Sequence, residues 1–440
     1  MRVRRWLSPG IGVKRWLLVV FVGLSLLALG VAHMLRQMTR DLQPGGVAGA
    51  ILDAVTLQFL PYPVRGLLVA ALGASLVVVG GYRVLRVVTD PLRAPDADQP
   101  LVEVIYQKRQ LARGPRVVAI GGGTGLSTLL RGLKEHTSNL SAVVTVADDG
   151  GSSGVLRREL GIPPVGDLRN CIVALADAEP LMHELLQYRF PVGDEPDASG
   201  LGGHPVGNLL LAAMTAVEDG DFEEGVRRLN RILAVRGQVI PVSATPLTLH
   251  ARCHDGRIVD GQSRIMRTPA IERVWITPQD VAASQDALDA IADAELIVMG
   301  PGSLYTSLLP SLLVPAVRDA VLAARAPRLY VCNVATQEGE TAGLDLAAHV
   351  DALVAHTAPG IVDLVLANNR FDARVPADWQ AERVKLQWPP ASMPRPHLVL
   401  DDVVAPDNAH HHDPARLAAA VLHAYEVETT SRRRASMRSA

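Results

Sequence analysis

The chain has 440 residues, room for about three domains of roughly 150 residues each, and 48% are hydrophobic against 20% charged, which excludes a disordered or fibrous protein. Its 43 Lys and Arg nearly balance 45 Asp and Glu for a net charge of -2, and aromatics are 4%, so no nucleic-acid partner is expected by global charge or base stacking. Cys171, Cys253 and Cys332 are odd in number and far apart, which gives neither a disulfide framework nor a zinc spacing and fits a reducing compartment.

The first element is an uncharged run at 16–34, WLLVVFVGLSLLALGVAHM, about the length that crosses a bilayer as a helix. Arg2, Arg4, Arg5, Lys14 and Arg15 precede it, a pattern shared with signal peptides, but the run exceeds the usual h-region. A second run at 64–88 carries only Arg65, Arg83 and Arg86, near its ends where they can snorkel, and clusters Gly and Ala where helices approach closely. The expectation is a two-helix transmembrane hairpin over 1–90. Basic residues flank both outer ends, so the hairpin predicts a two-pass protein of the inner (cytoplasmic) membrane with its body in the cytoplasm. Residues 91–115 are polar and Pro-rich before turning amphipathic, which suits a linker.

From 116 the pattern becomes short β-branched runs between longer helical stretches, predicting an α/β body over 116–425 with a Rossmann-like, mostly parallel sheet and helices on both faces. Strands are expected at 116–120, 142–146, 295–300, 328–333 and 362–368, and a helix at 126–136. Residues 181–235 read as helical, 239–273 as short antiparallel strands, and 426–440 as a basic, disordered tail.

Gly121, Gly122, Gly123, Thr124 and Gly125 follow the first strand and open a helix, where glycine permits a sharp turn and the helix N-terminus offers N–H groups to a phosphate. A tight structural turn is the other reading. A P-loop would need a lysine, the dinucleotide fingerprint a glycine at Leu126, and the tubulin-like turn a glycine at Ser127. Asp148 and Asp149 end the second strand, placed to hold Mg²⁺ or a ribose hydroxyl unless they are solvated loop acids. Asp167 reads as a helix N-cap, with Arg169 a phosphate candidate beside Asn170. His204 and Asn208 sit at the start of an apolar helix and could face a ligand. Gly300, Gly302 and Ser303 form a second glycine turn after a strand, another backbone cradle for an anion, and Asn333 repeats the logic with an amide. Cys332 reads as a small buried residue. His410, His411, His412 and Asp413 allow a metal site, with an exposed polar loop the favoured reading.

Six ordered segments, GGGTGLSTLLRGLK, VTVADDGGSSGVLRRELGIPPVGDLRN, GHPVGNLLLAAM, VRGQVIPVS, LIVMGPGSLYTSLLPSLLVP and YVCNVATQEGET, resemble the YvcK-type gluconeogenesis factors, relatives of 2-phospho-L-lactate transferase. The resemblance spans most of the body. It implies a Rossmann-like nucleotide-binding fold, a homodimer, binding of UDP-sugars such as UDP-N-acetylglucosamine, and a role in cell shape and growth on gluconeogenic carbon. In the transferase branch it implies Mg²⁺-dependent movement of a phospholactyl-type group from a guanosine diphosphate adduct to a deazaflavin alcohol. Carried over, Gly121 to Gly125, Asp148, Asp149, Asn208 and the Gly300 to Ser303 turn would line the crevice. Two departures stand out: the N-terminal hairpin, and His411 where relatives often place an arginine before a His-Asp pair, which would weaken diphosphate binding or make it pH dependent.

The leading expectation is a membrane-tethered UDP-sugar-binding regulator that links precursor supply to envelope-synthesis proteins. Its rival is a phosphoryl-type transferase, with Asp148 and Asp149 on Mg²⁺, Arg169 and the glycine turns on phosphates, and His204 or Asn208 positioning the acceptor. An NAD(P) enzyme would use Asp148, 27 residues after Gly121, on the ribose, and Leu126 counts against it.

Overall fold

A computed structural model describes residues 24, 25, 28, 106, 108–177, 179–192, 200–372, 381–389 and 395–439. The chain divides into two units, Met1–Gln110 and Leu111–Ala440. In the first, Leu24, Ser25 and Ala28 are helical, and the rest of the runs expected at 16–34 and 64–88 lies outside the described residues. Among the described residues no single helix is long and apolar enough to cross a membrane.

The second unit opens with β1 (Val117–Gly121), buried along its whole length as a strand covered on both faces must be. Helix α1 (Gly123–Leu133) follows and buries Leu126, Leu129, Leu130 and Leu133, an i, i+3, i+4, i+7 stripe that contributes roughly 1.5–3 kcal/mol per side chain. Next come β2 (Leu140–Val144), α2 (Gly151–Leu160), α3 (Gly166–Leu175), α4 (Glu179–Gln187), α5 (Val206–Val217) and α6 (Phe222–Ile232). Asp221 caps α6 by accepting from the Glu224 N–H. After β3 (Gln238–Pro241) an excursion forms β4 (Thr248–Cys253), β5 (Ile258–Asp260) and β6 (Ile271–Thr277). The body continues through α7 (Gln285–Ala292), β7 (Leu296–Met299), a π-helical turn Leu304–Leu308, α8 (Pro315–Ala323), β8 (Arg328–Val331), α9 (Leu346–His356), β9 (Leu364–Asn368) and β10 (His397–Asp401). It closes with the hairpin β11 (Val404–Ala405) and β12 (Asn408–His412) and the helix α10 (Pro414–Ser439).

Seven strands form one sheet in the order β10-β9-β8-β7-β1-β2-β3. Every pairing in it is parallel. The α/β expectation therefore holds in its coarse form. From β1 the chain moves through β2 to β3 on one side, then crosses to β7 on the other side of β1. Connections leaving β1 and β7 thus diverge, opening a crevice at the carboxyl ends of these two strands, where α/β sheets bind ligands.

Four expectations are corrected. Residues 239–273 are not all antiparallel: β3 pairs parallel with β2, and the antiparallel set is β5-β4-β6. Residues 426–439 belong to α10 and are not a disordered tail. Ala and Arg propagate helix well, and Arg432 is held by Glu428 one turn back and by Asp363 at the start of β9. Asp167 is not an N-cap: α3 begins at Gly166 after Val165, and Asp167 lies in its first turn. His410 to His412 form strand β12 and not an exposed loop. Burial pushes the His412 imidazole down to about 4.

Helix α10 packs on α1. A Cβ at Gly132 would fall onto the Pro414 carbonyl and against Ala418, so only glycine lets the two backbones meet.

Candidate functional site

The two glycine turns meet at the crevice. A Cβ on Gly125 would lie 2.6 Å from the Pro301 carbonyl oxygen and 2.8 Å from the Gly302 backbone, so the turns touch main chain to main chain. The α1 N-cap is Gly122, in extended conformation and without a side-chain cap.

The second turn is braced from the segment after β8. Gly302 N donates to Asn333 Oδ1 at 3.1 Å, and Asn333 Nδ2 donates to Gly302 O at 2.8 Å. Gln337 Nε2 donates to Ser303 Oγ at 2.7 Å. Glu340 Oε1 accepts from the Tyr305 N–H at 2.6 Å and the Thr306 N–H at 2.9 Å, and Oε2 accepts from Thr306 Oγ1 at 3.0 Å. Glu340 is buried, and burial pushes its carboxyl up to about 7 against the hydrogen bonds from Thr306 and Tyr305. The donors an external anion would seek at Gly302, Tyr305 and Thr306 are thus occupied from within.

The first turn faces a different environment. Asp148 Oδ1 accepts from Gly150 N at 2.9 Å, and burial raises its pKa while bonds from Gly150 and Ser153 oppose. Asp149 Oδ1 accepts from Ser263 N at 2.8 Å, which ties the loop after β2 to the excursion of β4–β6. Asp148 feels the Asp149 charge, and its own charge reaches a third acid, Asp167, not predicted as part of the set. Burial pushes Asp167 up to about 7, the Asp148 charge adds to this, and the Gly123 N–H and Arg169 oppose it. Asp167 Oδ2 and the neighbouring Thr145 Oγ1 are buried without a hydrogen-bond partner. Burial lowers Arg169 to about 10, Arg189 repels it, and Asp167 and Asp148 hold it charged.

Arg169 organises a polar network across four helices, α2 to α5. Its Nη1 donates to Asn208 Oδ1 at 3.1 Å and its Nη2 to Asn170 Oδ1 at 3.0 Å, which also accepts from Gln187 Nε2 at 3.0 Å. Asn208 Nδ2 donates to Ser152 Oγ at 2.9 Å, and Ser152 Oγ lies 2.7 Å from His204 Nδ1. The structure therefore brings together Arg169, Asn170, His204 and Asn208 and sets Asp148 and Asp167 beside them. Asn333 braces the second turn, and Asp149 is drawn toward Ser263.

Sequence reasoning did not single out Ser152, Ser153, Gln187 or Glu340. Ser152 and Ser153 carried a signal, as hydroxyls opening a helix after paired aspartates. Glu340, one acid in a loop of Gly and Thr, carried none. Among the described residues no group of three His, Cys, Asp or Glu side chains could hold a metal alone, so the histidine run is not such a site. Cys332 is buried and its thiol pushed up to about 12, as a packed core residue should be.

Residues 117–388 match the family described as 2-phospho-L-lactate transferase CofD. The chain is 45% identical over 287 residues to the gluconeogenesis factor of Bacillus subtilis, covering 62% of this chain and 89% of that protein. A Deinococcus radiodurans protein that carries the same name provisionally is 38% identical over 432 residues, covering 97% of this chain and 90% of its own length. A crystal structure of a UPF0052-family protein from Bacillus halodurans superposes with a TM-score of 0.65 at 42% identity, covering 70% of this chain and 99% of that one.

Proposed function

The chain belongs to the 2-phospho-L-lactate transferase CofD family, in its YvcK-type gluconeogenesis-factor branch, and on that premise we propose that its crevice binds a UDP-sugar, UDP-N-acetylglucosamine foremost, as a regulatory ligand. The supporting observation is the meeting of Gly125 with Gly302 at the point where the strand order reverses, beside the Arg169–Asn208–Ser152–His204 network. The N–H groups of the first turn and the start of α1 other than that of Gly123, which Asp167 holds, receive the diphosphate, and the Asn170 amide, positioned like Asn208 by Arg169, faces a polar end of the ligand. The runs at 16–34 and 64–88 tether the body to the cytoplasmic membrane, where a homodimer coordinates precursor supply with envelope-synthesis proteins and cell shape.

One observation favours the transferase as second reading. Asp148 and Asp167 are close acids, and Asp167 Oδ2 is buried without a partner. Two carboxylates with phosphate oxygens are a usual Mg²⁺ environment, so the pair fits that ion better than Asp148 with Asp149 does. Bound there, Mg²⁺ would neutralise charge on the phosphates. Arg169 would hold the two acids ionised, and His204 and Asn208 would orient an acceptor hydroxyl.

The test is calorimetry and thermal shift of the full chain in detergent with UDP-N-acetylglucosamine, UDP-glucose, GDP, GTP and NAD, with and without Mg²⁺. A ligand at one hundred times its Kd adds about 2.7 kcal/mol to native stability. A response to UDP-sugars alone, with the ligand intact afterwards, is the expected result. A Mg²⁺-dependent response to guanosine nucleotides instead moves the transferase to first place. Alkaline extraction of membranes tests the tether: release of the full chain into the supernatant overturns it.

A further inference from the structure

The donor-only chemistry of Arg169 fixes the orientation of the Asn208 amide. A guanidinium has no acceptor, so the Asn208 atom 3.1 Å from Arg169 Nη1 is Oδ1, and the amide Nδ2 is turned to Ser152 at 2.9 Å. Ser152 Oγ is consequently an acceptor toward Asn208, and its single proton is available to His204 Nδ1, 2.7 Å away, whenever that nitrogen is bare. In the tautomer with its ring hydrogen on Nε2, His204 Nδ1 accepts that proton. The arrangement is held firmly, since Arg169, Asn208 and His204 are all buried. Ser152 is half-buried and opens helix α2, a ten-residue helix whose first N–H groups point to the same spot. A hydroxyl within 2.7 Å of an imidazole nitrogen and positioned by an amide is the arrangement that activates serine nucleophiles.

We propose that Ser152 and His204 form a nucleophile and general base that can take a phosphoryl group from a phosphate ester or anhydride onto Ser152 Oγ. In the step the Oγ–P bond forms as the phosphorus–oxygen bond to the leaving group breaks, and the departing oxygen keeps the bonding electrons. The Ser152 proton moves to His204 Nδ1 and from there to the departing oxygen. The start of α2 faces the charge that develops on the phosphoryl oxygens. Asn208 positions the hydroxyl and acts through it. This inference stands on the geometry of the network and does not depend on which nucleotide the crevice holds.

A fluorophosphonate probe on the full chain tests it without any nucleotide. Ser152 Oγ displaces fluoride from phosphorus, its proton passes to His204 Nδ1, and intact-mass and peptide spectrometry locate the adduct. The expected result is one adduct at Ser152, absent in Ser152→Ala and slowed at least about 100-fold in His204→Gln, the lower range for losing a general base. The charged groups flanking the imidazole are Arg169, through Asn208, and Arg189, which donates to the Gly203 carbonyl. Thermal unfolding establishes that each variant is folded. Ser152→Cys adds a readout that does not require serine chemistry, because Cys171, Cys253 and Cys332 are all buried. The introduced thiol should react with iodoacetamide at a lower pH than an ordinary cysteine, and adding His204→Gln should return it to the ordinary range. No adduct at Ser152, together with an alkylation profile that His204→Gln does not move, overturns the proposal and leaves Ser152 as a tie between α2 and α5.

Discussion

The two glycine turns look alike in sequence and differ in what surrounds them. The turn at Gly300 to Ser303 is filled by its own chain: Asn333 grips Gly302 at two atoms and the Glu340 carboxylate takes the N–H groups of Tyr305 and Thr306. The turn at Gly121 to Gly125 meets Asp167, whose second oxygen is unpartnered, and a network built on Arg169. One turn is a finished piece of framework, and the other keeps unmet electrostatic demand. A glycine turn ahead of a helix is therefore no guide to ligand binding until the destinations of its N–H groups are counted.

The comparison is broken most severely by Arg169→Met. Removing the cation leaves Asp148 and Asp167 buried without their counter-charge and the Asn208 and Asn170 oxygens short of a donor, so a loss of about 3–5 kcal/mol in urea unfolding is expected. Next is Glu340→Ala, which strands two backbone N–H groups and should cost about 2–4 kcal/mol from the typical penalty per unsatisfied group. Nucleotide affinity should survive in this variant once the lost stability is allowed for. A binding site on the second turn would show instead as an affinity loss out of proportion to the stability change.

Gly125→Ala attacks both turns together, since its methyl group enters the Pro301 and Gly302 main chain, and about 1–3 kcal/mol should be lost along with ligand binding. The pH dependence sharpens the contrast further. Asp167 and Glu340, ordinarily near 3.8 and 4.5, both reach about 7. Between those values the native state holds protons that the unfolded chain has released. Their contribution is thus fully present in acid and is lost as pH rises through about 7, by up to about 1.4 kcal/mol per pH unit for each proton. His412 acts in the opposite sense: it is kept neutral down to about 4, so its contribution is lost as pH falls below 6.5. Urea midpoints taken from about pH 5 to about pH 8 should decline less steeply in Asp167→Asn and Glu340→Gln than in wild type. An unchanged slope in both would mean the acids are ionised throughout. The smallest effect is expected at Arg227→Ala, whose ion pair with Asp286 is exposed, with a change under about 1 kcal/mol.

Much of the main sheet was legible because its strands are continuous apolar runs punctuated by glycine, as in VVAIG of β1 and LIVM of β7. The strand at 238–241 was misassigned because four residues cannot reveal which sheet they join; the parallel ladder to β2 decides it. The basic tail failed for a different reason. Its composition resembles solvated sequence, while the anchoring of Arg432 on Asp363 depends on a residue 69 positions away. In the candidate site, residue types next to glycines were visible and their partners were not. Asp167 feels the Asp148 charge from a loop 19 positions away, Asp149 leaves for Ser263, and Ser152 gains its importance from Asn208 and His204, both more than 50 positions on.

The contact between α10 and α1 sets an order of events during synthesis. The helix that follows the first glycine turn has Gly132 seated under Pro414 and Ala418, at the start of α10. A nascent chain holding β1 to β9 can pair its strands, but that face of α1 stays uncovered until α10 emerges. A messenger truncated before the codon for Pro414 should yield a body that exposes apolar surface beside its own binding crevice and is handed to chaperones or proteases.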